Sequence, residues 1–180
     1  MANDEILMED AGFNPTEDDG LTMDDFNKGN FVKNPQVGQT LTFKVLRIVP
    51  NSDTKGKNKE TGKEFDKGLK NKKGEVKRYD VETDQGVYTI NNWEIFFKLI
   101  GDGKSGRTKG ELTKYAEVHN RKYNGAVISI TRLIDGAHAN YKVEDLAKII
   151  GKTIAEATKY QEEVKKAMKE QRLFVVKLEN

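Results

Sequence analysis

The stretch Gln39-Thr40-Leu41-Thr42-Phe43-Lys44-Val45-Leu46-Arg47-Ile48-Val49 decides the fold class. Leu41, Phe43 and Val45 alternate with Thr42 and Lys44, the period of a half-buried strand. The phase then slips at Leu46, Arg47 and Ile48. A slip inside a long strand predicts a bulge, one extra residue that bends the strand. Pro50 and Asn51 close it, and Pro35-Gln36-Val37-Gly38 turns the chain into it.

Beyond this strand the composition changes abruptly. Between Asn51 and Glu75, Lys55, Lys57, Lys59, Lys63, Lys67, Lys70, Lys72 and Lys73 are interleaved with Gly56, Gly62, Gly68 and Gly74. So few apolar residues over such a length predict a long mobile basic loop over residues 51–75. Val76 to Asp84, the turn Gln85-Gly86 and Val87 to Asn92 read as a β-hairpin. Asn92 is placed to cap a short helix through Trp93, Ile95, Phe96, Phe97, Leu99 and Ile100. A second basic, Gly-rich loop spans 101–110, and Glu111 to Asn120 has helical character.

Ala126 to Leu133 is a further strand, and Asp135-Gly136 is expected to turn it into a shorter strand, Ala137 to Val143, carrying Tyr141. Leu146 to Ile150 reads as a short helix stopped by Gly151. Thr153, with Glu156 three residues on, forms a capping box for a longer amphipathic helix. Leu173 to Leu178 is a terminal apolar strand.

At 180 residues, with 36% hydrophobic and 33% charged side chains, the chain has material for one domain of ordinary size and a modest core. Mean hydropathy is -0.76. No run approaches the roughly 18–20 apolar residues of a membrane span, and no basic-then-apolar leader opens the chain, so a cytoplasmic protein without membrane attachment is expected. The absence of cysteine excludes disulfides, thiolate zinc sites and cysteine nucleophiles. Only His119 and His138 remain as imidazole ligands, so no metal or other cofactor is expected.

Of 29 acids, nine lie in residues 1–30 against Lys28 alone, a net of -8. The other 150 residues carry 30 of the 31 basic side chains and a net of +10. An acidic, disordered arm over 1–30 ahead of a basic body points to a polyanionic partner. The arm is expected either to fold back over the basic surface or to recruit replication or recombination proteins.

The order strand, basic loop, hairpin, helical connection and two further strands matches a five-stranded OB-fold barrel, mainly β with helices. The division implied is an OB domain over 31–146 and a C-terminal helix and strand over 147–180. Pro35 to Leu41, the hairpin end Tyr88-Thr89-Ile90-Asn91-Asn92-Trp93, and Gly125 to Arg132 through Asn140-Tyr141-Lys142-Val143 resemble the OB-type single-stranded-DNA-binding proteins of bacteriophages. The resemblance covers about residues 37–143. It implies non-enzymatic coating of single-stranded DNA, with RNA left open, in the host cytoplasm.

Such grooves need cations along the phosphates and aromatic faces for the bases. The candidates are Lys44 and Arg47 on the first strand, Lys77 and Arg78 on the second, and Arg132 on the fourth. To these the basic loop adds Lys55, Lys57, Lys59, Lys63, Lys70, Lys72 and Lys73. Tyr88 and Trp93 are the candidate stacking rings, with burial as the alternative for each. Tyr79 and Tyr141 share strand faces with Val81 and Val143 and are expected in the core.

Three further motifs carry weaker readings. Asp80-Val81-Glu82-Thr83 resembles the first metal-binding motif of DnaQ-type exonucleases, but the polar Glu75-Val76-Lys77-Arg78 stands where a buried strand is needed. Gly101-Asp102-Gly103-Lys104-Ser105 resembles the end of a phosphate-binding loop, with Lys98 where the first glycine belongs. Val143 to Ile154 fits helix-turn-helix spacing, with Ala147 and Gly151 at the small positions, and leaves duplex DNA binding as an alternative. A viral structural or protein-interaction role is the other alternative.

Overall fold

Val45 pairs with Thr83 and Arg47 with Glu82, so Leu46 is the extra residue of a bulge between β1 (Thr40–Asn51) and β5 (Val76–Thr83). The burial phase changes there as the sequence requires: Phe43 and Val45 point inward before the bulge, and Ile48 after it. The computed structural model describes residues 31–71, 73–101 and 109–180. The acidic arm over 1–30, Lys72 and most of the loop holding the phosphate-loop motif lie outside the described residues.

The remaining strands are β2 (Lys55–Lys57), β3 (Glu64–Asp66), β4 (Leu69–Lys70), β6 (Gly86–Thr89), β7 (Val127–Arg132) and β8 (Phe174–Leu178). The helices are α1 (Trp93–Leu99), α2 (Glu111–Glu117), α3 (Val143–Ile150) and α4 (Ile154–Lys169). The class is α+β, built mainly on antiparallel sheet. The principal sheet runs β4-β5-β1-β7-β8, with β6 also paired to β5, and β2 and β3 form a separate two-stranded ribbon.

The described chain divides into two units. The first holds residues 31–33, 42–129 and 176–180. Here β5 is covered on both faces: Tyr79 and Val81 join the apolar core with Phe43, Val45 and Ile48, while Arg78, Asp80 and Glu82 are buried on the other face. The Asn92 side chain accepts a hydrogen bond from Ile95 N at 3.2 Å and starts α1, whose Ile95, Phe96 and Leu99 enter the core. Gly110 N bonds Ile100 O at 2.9 Å and Thr113 Oγ1 donates to the same carbonyl at 2.7 Å, tying α2 to the end of α1.

The second unit holds Asn34–Leu41 and Ile130–Val175. Its helices α3 and α4 pack through Leu146, Ala147 and Ala157, with Val143, Ile150 and Tyr160 at the margin. Gly151 sits at φ 67°, the left-handed conformation that ends α3 at low steric cost, and Thr153 and Glu156 complete the capping box of α4.

The strand expected over Ala137–Val143 does not form. The Asp135 side chain accepts from Ala137 N at 3.0 Å, which starts a 3-10 helix over Gly136–Asn140 that leads into α3. Asp135-Gly136 is thus a helical turn and not a hairpin turn. Beside β7 the terminal strand β8 takes the vacant edge, with Leu133 N bonded to Leu173 O at 2.8 Å and, in the first unit, Glu179 N to Val127 O at 2.8 Å.

Candidate nucleic-acid interface

The segment expected to be a mobile loop contains an ordered ribbon. Lys55 pairs with Asp66, Gly56 with Phe65 and Lys57 with Glu64. Asn58 makes the turn: its carboxamide oxygen accepts from Glu60 N at 2.8 Å and Thr61 N at 3.1 Å, and its backbone N donates to Lys63 O at 2.8 Å. The turn residue Asn58, Gly62 and the opposed charges of Lys-Gly-Lys and Glu-Phe-Asp were the available sequence signals.

Ion pairs sort the lysines. Lys55 pairs with Asp66, which also faces Lys70 at 3.7 Å, and Lys67 reaches Asp53 at 3.2 Å. The hydrogen bond from Lys67 holds the Asp53 carboxyl below the usual carboxylate range, and the bond between Lys55 and Asp66 raises the lysine and lowers the acid. Lys44, Lys57, Lys59, Lys63, Lys73 and Lys77 are all exposed and form no salt bridge among the described residues. Glu60 and Glu64 are also exposed on the ribbon, so its surface is mixed with a cationic surplus.

Three arginines expected on the interface are committed elsewhere. Arg78 is buried; its Nε donates to Asp80 Oδ1 at 2.9 Å and its Nη1 to Asp53 O at 2.8 Å. Arg47 is bonded to the fully buried Glu82 carboxylate, its ladder partner. In the second unit, Arg132 pairs with Asp135 at 3.0 Å and lies over the Phe174 ring, 5.7 Å from its centroid. The expectation of a free cation is corrected for Arg78, which is buried on its acids, whereas Arg47 and Arg132 are half-buried and each already holds one acid.

The aromatic expectations divide as well. Tyr88 is 1% exposed, packed on Phe43 with ring centroids 5.5 Å apart, and burial pushes its phenol pKa up. It is a core residue and not a stacking ring. Tyr79 is buried as expected, whereas Tyr141, at the C-terminal end of the 3-10 helix, is exposed. Trp93 is half-buried; it stacks on Phe97 at 5.7 Å and its Nε1 donates to Lys70 O at 3.1 Å. Phe65, absent from the sequence-based candidates, is an exposed ring on the ribbon.

Comparison with known proteins finds no match to a family model, a curated protein or a solved structure.

The acidic pair of the exonuclease-like motif is tied up. Asp80 accepts from Arg78, from Thr89 Oγ1 at 2.7 Å and from Asn51 Nδ2 at 2.9 Å, and Glu82 is held by Arg47. No cluster of three or more acids or histidines suited to a metal occurs among the described residues. Nor is any helix there long and apolar enough to cross a membrane. The helix pair α3–α4 does have a three-residue connection, but its exposed residues mix Glu156, Glu162 and Glu163 with Lys159, Lys165 and Lys166. That mixture provides little of the positive field that duplex binding needs.

Proposed function

We propose that this chain is an OB-type protein that binds single-stranded nucleic acid, DNA before RNA, in phage replication or recombination, without catalysing a reaction. The ribbon and the adjoining strands neutralise phosphates, and exposed aromatic surface takes bases with little sequence preference. The observation that carries the reading is the set of six exposed lysines in one unit, Lys44, Lys57, Lys59, Lys63, Lys73 and Lys77, which form no salt bridge among the described residues. Support for the OB assignment comes from the bulged β1, the β5–β6 hairpin and the helices between it and β7.

The test is a polarisation titration of labelled oligo-dT, oligo-rU and a duplex hairpin from 20 mM to 300 mM salt. Tightest binding to oligo-dT, weakening linearly in log–log form as salt rises, is expected from counterion release. No binding to any of the three at 20 mM salt overturns the reading. Preference for rU overturns the DNA assignment, and preference for the hairpin moves the function to duplex binding.

A second reading, protein interaction, is favoured by Ile149 and Ile154, which are 60% and 55% exposed on either side of the α3–α4 connection. Light scattering separates it from the first: a stable assembly with no oligonucleotide binding supports it.

A further inference from the structure

On the β2–β3 ribbon, cross-strand pairing decides which side chains share a face. Gly56 pairs with Phe65, so Lys55, Lys57, Glu64 and Asp66 belong to the opposite face. The register continues at both ends: Asn58 N bonds Lys63 O at 2.8 Å, and Lys67 N bonds Thr54 O at 2.9 Å. The Phe65 face therefore carries Thr54, Gly56 and Asn58 on one side, and Lys63, Phe65 and Lys67 on the other. Both carboxylates of β3 are on the far face, where Asp66 bonds Lys55 and Glu64 stands opposite Lys57 in the ladder.

The ring itself has a seat. A Cβ built on Gly56 would stand 2.4 Å from Phe65 Cζ and 2.7 Å from Cε2, so the ring edge lies over bare backbone. The Lys67 stem crosses the same glycine, with Cε 2.8 Å from that position. An aromatic placed over a cross-strand glycine shields a weak point in a short ribbon. Yet Phe65 remains 51% exposed, so shielding leaves half of its surface in water. Lys67 is tethered to Asp53, whereas Lys63 has no salt bridge among the described residues.

We infer that Phe65 is a base-stacking platform, with Lys63 taking an adjacent phosphate of a single strand. This rests on the single-strand reading above and adds a specific contact to it. A fixed apolar ring and a flanking ammonium that forms no salt bridge among the described residues, on a face that carries neither β3 carboxylate, supply the two interactions that unpaired polynucleotide needs. Any base offers a π-face, so the contact carries little sequence preference. The structural role over Gly56 fixes the ring position without consuming its exposed surface.

The experiment uses the full chain and two labelled strands of equal length, oligo-dT and an abasic strand with the same phosphates. Phe65→Leu, which keeps an apolar side chain over Gly56, should weaken oligo-dT binding about tenfold. Its affinity for the abasic strand should match that of the unaltered chain. Phe65→Trp should retain oligo-dT affinity, and its emission should be quenched beyond any change from Trp93 alone. Unchanged oligo-dT affinity in Phe65→Leu, with the unaltered chain binding normally, overturns the stacking role and leaves the single-strand reading intact. Equal losses on both strands also overturn it, since the ring then acts through ribbon structure. Failure of the unaltered chain to bind either strand at 20 mM salt overturns both.

Discussion

Arg78 and Asp80, two residues apart on β5, form a buried ion pair at 2.9 Å, with their side chains 5% and 1% exposed. Asn51 on β1 and Thr89 on β6 donate to the same carboxylate, so three strands meet at one acid. The pair is therefore a structural junction of the sheet. Breaking a buried pair from one side strands a charge, at a cost of about 3–5 kcal/mol. Arg78→Met should lower unfolding stability in urea by that order while leaving oligonucleotide affinity unchanged at temperatures where the variant is folded. A loss of affinity without a loss of stability would return Arg78 to the phosphate-binding set.

Tyr88 makes stability depend on alkaline pH. Its phenol is raised from about 10 because burial penalises the phenolate. The folded state thus binds the proton more tightly than the unfolded state, and the resulting stability is fully present below pH 10 and is lost as pH rises above it. The urea midpoint should fall between pH 10 and 11.5, and Tyr88→Phe should reduce that fall relative to the unaltered chain. Identical slopes in the two proteins would show that the phenol does not titrate with unfolding.

The lysines that form no salt bridge among the described residues set the salt dependence. For single strands the slope of log K against log salt is about -0.7 per neutralised phosphate. Replacing Lys57, Lys59, Lys63 and Lys73 with Gln should therefore flatten the slope by up to about 3, with little change in melting temperature. Retention of the full slope would mean that none of the four touches phosphate.

Gly56 tests ring placement without altering the ring. Its backbone conformation is open to alanine, but the methyl group would occupy the space of the Phe65 ring edge and the Lys67 stem. Gly56→Ala should displace Phe65 and weaken oligo-dT binding severalfold while abasic-strand binding is unchanged. Equal affinity for oligo-dT would show that the seat over Gly56 is not needed for binding.

The α4 cap offers a local stability test. Thr153 Oγ1 accepts from Glu156 N at 3.1 Å and leaves that donor unpaired when removed. Thr153→Ala should cost about 0.5–2 kcal/mol, read as a lower thermal midpoint, and Thr153→Ser should recover most of it.

The sequence by itself determined those elements whose signals are local. The bulge at Leu46, the β5–β6 hairpin around Gln85-Gly86, the Asn92 cap of α1 and the Thr153–Glu156 box each depend on residues within a few positions of one another. Periodicity and side-chain-to-backbone hydrogen bonds act at that range, so they can be read along the chain. The Asp135-Gly136 signal was ambiguous even locally, because the same pair serves a hairpin turn or a helical start, and the Asp135 bond to Ala137 N selected the latter.

Tertiary structure decided which charges and rings were free. Arg47 and Arg78 read as surface cations until cross-strand register set Glu82 opposite Arg47 and brought Asp53 to Arg78. Tyr88 lost its candidacy when Phe43, 45 residues earlier in the chain, packed on its ring. Phe65 gained its place because pairing with Gly56 put the ring on the face opposite the two β3 carboxylates. Burial and ion pairing depend on which distant segments meet, and register is a long-range choice that no single stretch of the sequence encodes alone.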